Sequence, residues 1–151
     1  MESHVYNVEI NWNKDRKGVM CSRELSQESG DLNSCIEVAT PPEFPKGVPG
    51  IWSPEHLFTA AVSSCLMTTF LAIAENSKLE FVNFSCKSQG KLEQIDGKFI
   101  MSEIKLEPIV SIAKEKDREK AEKVLQKSEG ACLISNSIKS KITMVTKIVI
   151  V

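Results

Sequence analysis

The chain has 151 residues, of which 42% are hydrophobic and 26% are charged, and its 19 basic and 20 acidic side chains give a formal net charge of −1. This length predicts a single domain over residues 1–151 with a sizeable hydrophobic core. The balanced charge argues against a nucleic-acid or anionic-membrane partner, because such partners select basic surfaces. The N-terminal residues lack the basic and apolar regions of a signal peptide, so we expect a cytoplasmic protein.

Three strands are predicted before the first helix, over residues 5–12, from residue 19, and over residues 34–39. In the first of them Val8, Ile10 and Trp12 alternate with polar residues, which predicts that they face a core. The connections, residues 13–18 and 24–33, are polar and are predicted to be a hairpin turn and a loop. A proline-rich segment then leads to the helix.

A helix is predicted over residues 52–74, with Ser53 as N-cap and Pro54 and Glu55 in the first turn. Residues 57–74 contain no charged residue, glycine or proline, which indicates a helix buried in a core. This uncharged run is shorter than the ~20 residues of a membrane span, so no membrane association is predicted. Because one small sheet covers only one side of such a helix, we expect two copies to pack their helices together in a homodimer.

The second half of the chain is predicted to begin with a pair of strands, residues 81–92 and 99–112. Two helical segments, residues 114–128 and 131–138, and a final strand, residues 141–151, follow. Asp96-Gly97 is typical of a hairpin turn between the paired strands. The first helical segment has a narrow apolar stripe that is predicted to dock on the rest of the domain, formed by Ala121, Val124, Leu125 and Ser128. Glu129-Gly130 is predicted to end this segment, and the second segment is either a short helix or a turn. The order βββ-α-ββ-αα-β predicts an α+β fold in which an antiparallel sheet wraps around a long buried central helix.

Five cysteines occur without a Cys-x-x-Cys pair, and the two histidines, His4 and His56, do not complete a metal-ligand pattern. We therefore predict neither a disulfide framework nor a metal site. Cys21, Cys35 and Cys86 lie in strand patterns and are predicted to be packing residues. An isolated cysteine in a reducing compartment is either such a small hydrophobe or a reactive thiol.

Two segments around the remaining cysteines resemble the signature of the OsmC/Ohr peroxidase family. The stretch Trp52-Ser-Pro-Glu-His-Leu-Phe58, followed by Ala60-Ala-Val-Ser-Ser-Cys65, is similar to the family pattern Pro-Glu-x-Leu-Phe … Ser-Cys. The stretch Ala131-Cys-Leu-Ile-Ser-Asn136 is similar to its second motif, Cys-x-x-Ser-Asn at the start of a late helix. The proline-rich segment before the central helix also resembles the corresponding part of the family.

The resemblance implies a thiol peroxidase that forms an intertwined homodimer and uses no cofactor. It implies that Cys65 is the peroxidatic cysteine, that Cys132 is the resolving cysteine, and that Glu55 matches the family's glutamate. The family's arginine lies in the first hairpin, where Arg16 is the best match and Arg23 is the alternative. The implied substrate is an organic hydroperoxide, or hydrogen peroxide in some branches. The implied reductant is a dithiol, of lipoyl type rather than glutathione.

The implied roles agree with elementary chemistry. A buried cysteine alone has a raised pKa, whereas peroxide is attacked by the thiolate. An arginine favours the thiolate, and a glutamate can hold its guanidinium in a bidentate pair. Two other interpretations remain open at this point: a non-catalytic dimeric module that binds a small hydrophobic ligand, and a redox-sensing dimer. Saturable peroxide consumption would distinguish the enzyme from both.

Overall fold

The computed structural model describes residues 2–25 and 34–151. The chain divides into two compact units, Met1–Leu57 and Phe58–Val151. The first unit contains an antiparallel sheet of three strands in the order β1 (Glu9–Lys14), β2 (Lys17–Cys21) and β3 (Cys35–Ala39). The predicted hairpin and third strand are therefore confirmed, whereas most of the loop predicted over residues 24–33 lies outside the described residues.

The predicted buried face of the first strand is wrong. All six residues of β1 are exposed, with Ile10 at 60% and Trp12 at 79%, and Val8 precedes the strand and is also exposed. Alternating apolar and polar residues predict which side of a strand is apolar. The pattern does not show that another part of the same chain covers that side.

The predicted packing role of Cys21 and Cys35 is also wrong. These residues lie directly opposite each other on β2 and β3 and form a disulfide with an S–S distance of 2.07 Å. Cys21 is half-buried and Cys35 is exposed. The strand register brings the two sulfurs together, and the spacing of the cysteines along the sequence does not reveal that register.

The predicted central helix is present as α1 (Pro54–Asn76), and one of its faces is buried. The Ser53 hydroxyl accepts the backbone N–H of His56 at 3.3 Å, as expected of an N-cap. The buried side chains of α1 are Val62, Cys65, Leu66, Phe70 and Ala74. Met67 and Leu71 on another face are 40% and 43% exposed. By length and composition this helix of 23 residues could cross a membrane, a property that it shares with core helices of soluble proteins.

The second unit contains a mixed four-stranded sheet centred on β5 (Lys98–Ile112). Strand β4 (Asn83–Ile95) pairs with it in an antiparallel hairpin, whose Asp96-Gly97 turn has two positive φ angles, 50° and 76°. The predicted last strand is divided into β6 (Lys141–Met144) and β7 (Lys147–Ile150). Both pair in parallel with β5, so this part of the sheet departs from the predicted antiparallel arrangement.

Helix α2 (Arg118–Ala131) follows a 3₁₀ turn at Glu115–Asp117, and its buried stripe is the predicted one, Ala121, Val124, Leu125 and Ser128. The predicted break at Glu129-Gly130 is wrong, because α2 continues through Gly130. One glycine costs a helix about 1 kcal/mol, which the packing of this stripe can offset.

The core of the second unit lies where α1 and α2 meet the sheet. One buried cluster centres on Phe70 and includes Val110 and Leu125, and another joins Leu66 to Ile104 and Leu106. At Gly90 on β4, an added Cβ would collide with Thr59 Oγ1 and lie 2.7 Å from Met101 Cε. The helix and the sheet therefore pack closely at this position. The α+β class is confirmed.

Candidate active site

The two cysteines of the predicted motifs lie in the second unit, one on α1 and the other directly after α2. Cys65 is on the buried face of α1, is 9% exposed, and is a free thiol. Cys132 is also free and is 1% exposed. It is the C-cap of α2, with extended backbone angles of φ −64° and ψ 109°. Cys132 therefore lies between the C-terminus of α2 and a short 3₁₀ helix, Ser135–Ser137, rather than at the start of a new α-helix.

A hydrogen-bonded turn holds the chain that follows Cys132. The backbone N–H of Asn136 donates to the Cys132 carbonyl at 3.1 Å, and the Asn136 side chain donates to the Gly130 carbonyl at 3.1 Å. The Ser137 hydroxyl donates to the Leu133 carbonyl at 2.7 Å. The Asn136 side chain therefore caps the end of the preceding helix, as short polar side chains commonly do. This turn orients the N–H groups of the residues directly after Cys132.

Several donors converge on the Cys65 sulfur. Burial alone raises the pKa of the Cys65 thiol, but hydrogen bonds from the Cys132 thiol and the Ile134 backbone N–H lower it. The Thr69 hydroxyl, with its oxygen 3.9 Å from the sulfur, and the Leu133 N–H act in the same direction. The net result is that the pKa of Cys65 lies below its ordinary value.

The Cys132 thiol shifts in the opposite direction. Burial raises the pKa of Cys132, and its hydrogen bond to Cys65 raises it further, because deprotonation would remove that bond and place a second anion beside the first. The side chain and backbone of Ser135 lower the pKa of Cys132, but not enough to reverse the direction. The two thiols therefore form an asymmetric pair, in which Cys65 is the acidic member and Cys132 is the proton donor.

The lowered pKa of Cys65 favours its thiolate, which is the form of a cysteine that attacks electrophiles, and the second thiol, Cys132, interacts with it directly. Within residues 2–25 and 34–151, no group of three or more His, Cys, Asp or Glu residues could hold a metal ion.

The remaining predicted residues lie in the first unit. Glu55 is half-buried in the first turn of α1, and Arg16 is exposed in the turn between β1 and β2. Arg23, the alternative arginine, is exposed and forms an ion pair with Glu9 at 3.6 Å. The structure brings Cys65 and Cys132 together, and the catalytic roles of these cysteines, of Glu55 and of either arginine stay predictions.

Sequence reasoning missed the donors around Cys65 other than Cys132. Thr69 follows Cys65 by four positions on the same helix, a spacing that places side chains next to each other and that could have identified it. The backbone N–H groups of Leu133 and Ile134 carry no such signal, since their direction depends on the turn after α2.

These features define an α+β protein whose core helix carries a cysteine of lowered pKa next to a second thiol. Residues 47–147, more than half of the chain, match the family model described as OsmC-like protein. The chain therefore belongs to the OsmC-like protein family, as the resemblance of its two cysteine motifs predicts.

A curated relative and two solved structures agree with this assignment. The uncharacterized protein YmaD of Bacillus subtilis (strain 168) is 27% identical over 147 residues, which cover 95% of this chain and 93% of YmaD. The OsmC-like protein of unknown function VCA0330 from Vibrio cholerae has a TM-score of 0.80 at 21% identity, with 95% of this chain and 99% of that one covered. An organic hydroperoxide resistance protein OsmC from Legionella pneumophila has a TM-score of 0.70 at 19% identity, with 99% and 100% covered. The predicted OsmC-like fold is confirmed.

Proposed function

We propose that this protein is a cysteine-based thiol peroxidase that reduces organic hydroperoxides. Membership of the OsmC-like family and a fold shared with an organic hydroperoxide resistance protein support a role in redox chemistry or peroxide resistance. The observation that carries the proposal is the lowered pKa of Cys65 together with the hydrogen bond that it receives from Cys132. A purely structural buried cysteine would have a raised pKa.

In the first step, the Cys65 thiolate attacks one oxygen of the hydroperoxide O–O bond. Cys65 becomes a sulfenic acid, and the other oxygen leaves with the organic group and takes up a proton to form an alcohol. The N–H groups of Leu133 and Ile134 hold negative charge at the sulfur before the attack, which keeps the thiol reactive although it is buried.

In the second step, the Cys132 sulfur attacks the Cys65 sulfenic acid, which releases water and forms a disulfide between the two residues. The interaction between the two thiols in the reduced protein supports this role, because a resolving cysteine must lie beside the cysteine that becomes oxidised. An external dithiol then reduces the disulfide and restores both thiols. The family resemblance favours a lipoyl-type dithiol.

Arg16 and Glu55 complete this proposal on the basis of the family resemblance alone. We expect Arg16→Ala to lower peroxide turnover by roughly 100-fold without lowering the melting temperature, because an exposed turn residue contributes little to stability. The matched control is Arg23→Ala, which removes another exposed arginine of the first unit. If only the Arg23 variant lost activity, the arginine role would move to Arg23, and if neither did, it would be withdrawn.

We also propose that the protein acts as a homodimer in the cytoplasm. Met67 and Leu71 are large apolar residues at an exposed face of α1, and a second copy of the same face would bury them. Leu71→Glu is expected to produce monomers in analytical ultracentrifugation, whereas Lys127→Glu, at an exposed position of α2, should not. A wild-type monomer at tens of micromolar would contradict the dimer.

The experiment that tests the enzyme is a thiol count by peptide mass spectrometry before and after one equivalent of cumene hydroperoxide. Of the three free thiols, Cys65 and Cys132 should disappear into one linked peptide, and Cys86 should remain. Added dithiol should then support continuous peroxide consumption that saturates with substrate. If Cys65 and Cys132 both survive as thiols, the proposal is wrong, and a dimeric module that binds a hydrophobic ligand becomes the better interpretation.

A further inference from the structure

The disulfide between Cys21 and Cys35 takes no part in the chemistry proposed for Cys65. It joins the last residue of β2 to the first residue of β3, and these two residues are direct partners in the strand register, with their Cα atoms 4.2 Å apart. The first unit therefore has a redox-capable sulfur pair of its own.

Neither residue of this disulfide is buried. Cys35 is exposed, Cys21 is half-buried, and β3 is the terminal strand in the sheet order β1-β2-β3. The isolated bridge on the other side of β3 joins Val38 to Trp52, near the opposite end of the strand. Thiol–disulfide exchange needs access to one of the two sulfurs, and exposed disulfides are the labile ones, whereas structural disulfides resist reduction.

We propose that Cys21 and Cys35 form a second thiol–disulfide centre, which exchanges with external thiols independently of Cys65 and Cys132. A thiolate of an external dithiol attacks the sulfur of Cys35, which is the more exposed of the two residues, the bond between the two cysteines breaks, and Cys21 leaves as a thiolate that takes up a proton. The second thiol of the reagent, or a second molecule where the reagent is a monothiol such as glutathione, then attacks the reagent's sulfur in the mixed disulfide, releases Cys35 and leaves the reagent as a disulfide. Two electrons and two protons pass from the dithiol to the protein, and an oxidised dithiol reverses the reaction.

This exchange would change how firmly β2 and β3 are held together. The disulfide restrains the chain between Cys21 and Cys35, 14 positions apart, and thereby limits the freedom of any locally opened state. In the reduced form, only the backbone pairing of β2 with β3 and their side-chain packing remain. The local stability of this sheet therefore depends on whether the surrounding thiols keep the disulfide reduced or oxidised.

The first test equilibrates the native protein in a series of buffers that step the ratio of reduced to oxidised glutathione. Samples are quenched with acid, alkylated and mapped by mass spectrometry, with Cys86 as the thiol that should be alkylated throughout. Cys21 and Cys35 should become alkylated together, with a midpoint inside the series. The midpoint in Cys65→Ser should agree with the wild-type value.

Three results would overturn the proposal. The pair could stay oxidised in every native buffer and become reducible only in urea, which would indicate a structural bond that reagents do not reach. It could be reduced in every buffer, which would mean that the bond does not form. A midpoint displaced by more than about tenfold in Cys65→Ser would show that the two centres are not independent.

Hydrogen–deuterium exchange tests the structural consequence. Cys35→Ser removes the disulfide and should raise amide exchange in β2 and β3 by about tenfold or more, while β4 and β5 keep their wild-type protection. Cys86→Ser is the matched control, since it removes a half-buried strand cysteine outside the disulfide and should leave β2 and β3 unchanged. Equal protection of β2 and β3 in the wild type and in Cys35→Ser would contradict the proposed coupling.

Discussion

Replacing Cys65 with serine is expected to lower the rate of dithiol-dependent peroxide consumption by at least about 1,000-fold, to the level of the uncatalysed reaction. A serine hydroxyl in the same place remains protonated at neutral pH, whereas the thiol of Cys65 has a pKa below its ordinary value because of the donors around it. The measurement is steady-state consumption of cumene hydroperoxide, with the melting temperature recorded on the same samples.

The matched control for this experiment is Cys86→Ser. Cys86 is also a free thiol but is half-buried on β4, where it contacts the Ser88 hydroxyl at 3.5 Å. This variant should keep wild-type activity. Comparable activity in wild type and Cys65→Ser would exclude Cys65 as the nucleophile, and loss of activity in Cys86→Ser alone would transfer the role to that cysteine.

The second large effect is expected at Cys132, where two substitutions separate its two roles. Neither Cys132→Ser nor Cys132→Ala can form a disulfide with Cys65, so both should stop after one turnover and leave a sulfenic acid that dimedone-type reagents trap. Only Cys132→Ser keeps a hydroxyl that can donate a hydrogen bond to the Cys65 sulfur. A difference in the rate of Cys65 oxidation between the two variants therefore measures the effect of that hydrogen bond.

The direction of the pH effect follows from the thiolate being the reactive form. The rate of Cys65 oxidation rises as the pH passes through its pKa and is constant above it. Loss of the donor in Cys132→Ala should raise the pKa of Cys65, move the profile to higher pH, and lower the single-turnover rate at neutral pH by roughly tenfold. Cys132→Ser should remain closer to wild type. Superimposable profiles for the wild type and Cys132→Ala would show that the hydrogen bond does not activate Cys65.

Much of the secondary structure could be predicted because its signals are local. The N-cap at Ser53, the uncharged run over residues 57–74 and the Asp96-Gly97 turn each depend on neighbouring residues, and each is present as expected. The buried stripe of α2 could also be predicted, because a period of 3.6 residues places its members on one side of a helix.

The errors arise where a result depends on residues far apart in the sequence. Gly130 was predicted to end a helix, yet α2 continues, because propensity is a weak preference that packing can override. The two strands β6 and β7 pair in parallel with β5, and composition does not reveal the direction of pairing.

The sequence by itself determined the central helix, the order of the elements and, through its resemblance to a family, the two cysteines of interest. Only the tertiary structure decided which of these thiols is the acidic one. Burial alone would raise the pKa of both, and the opposite shifts arise because the turn after α2 directs the Cys132 thiol and two backbone N–H groups at Cys65. The register of β2 and β3 likewise decided that Cys21 and Cys35 are bonded to each other. Both outcomes depend on distances between atoms that the chain brings together only when it folds.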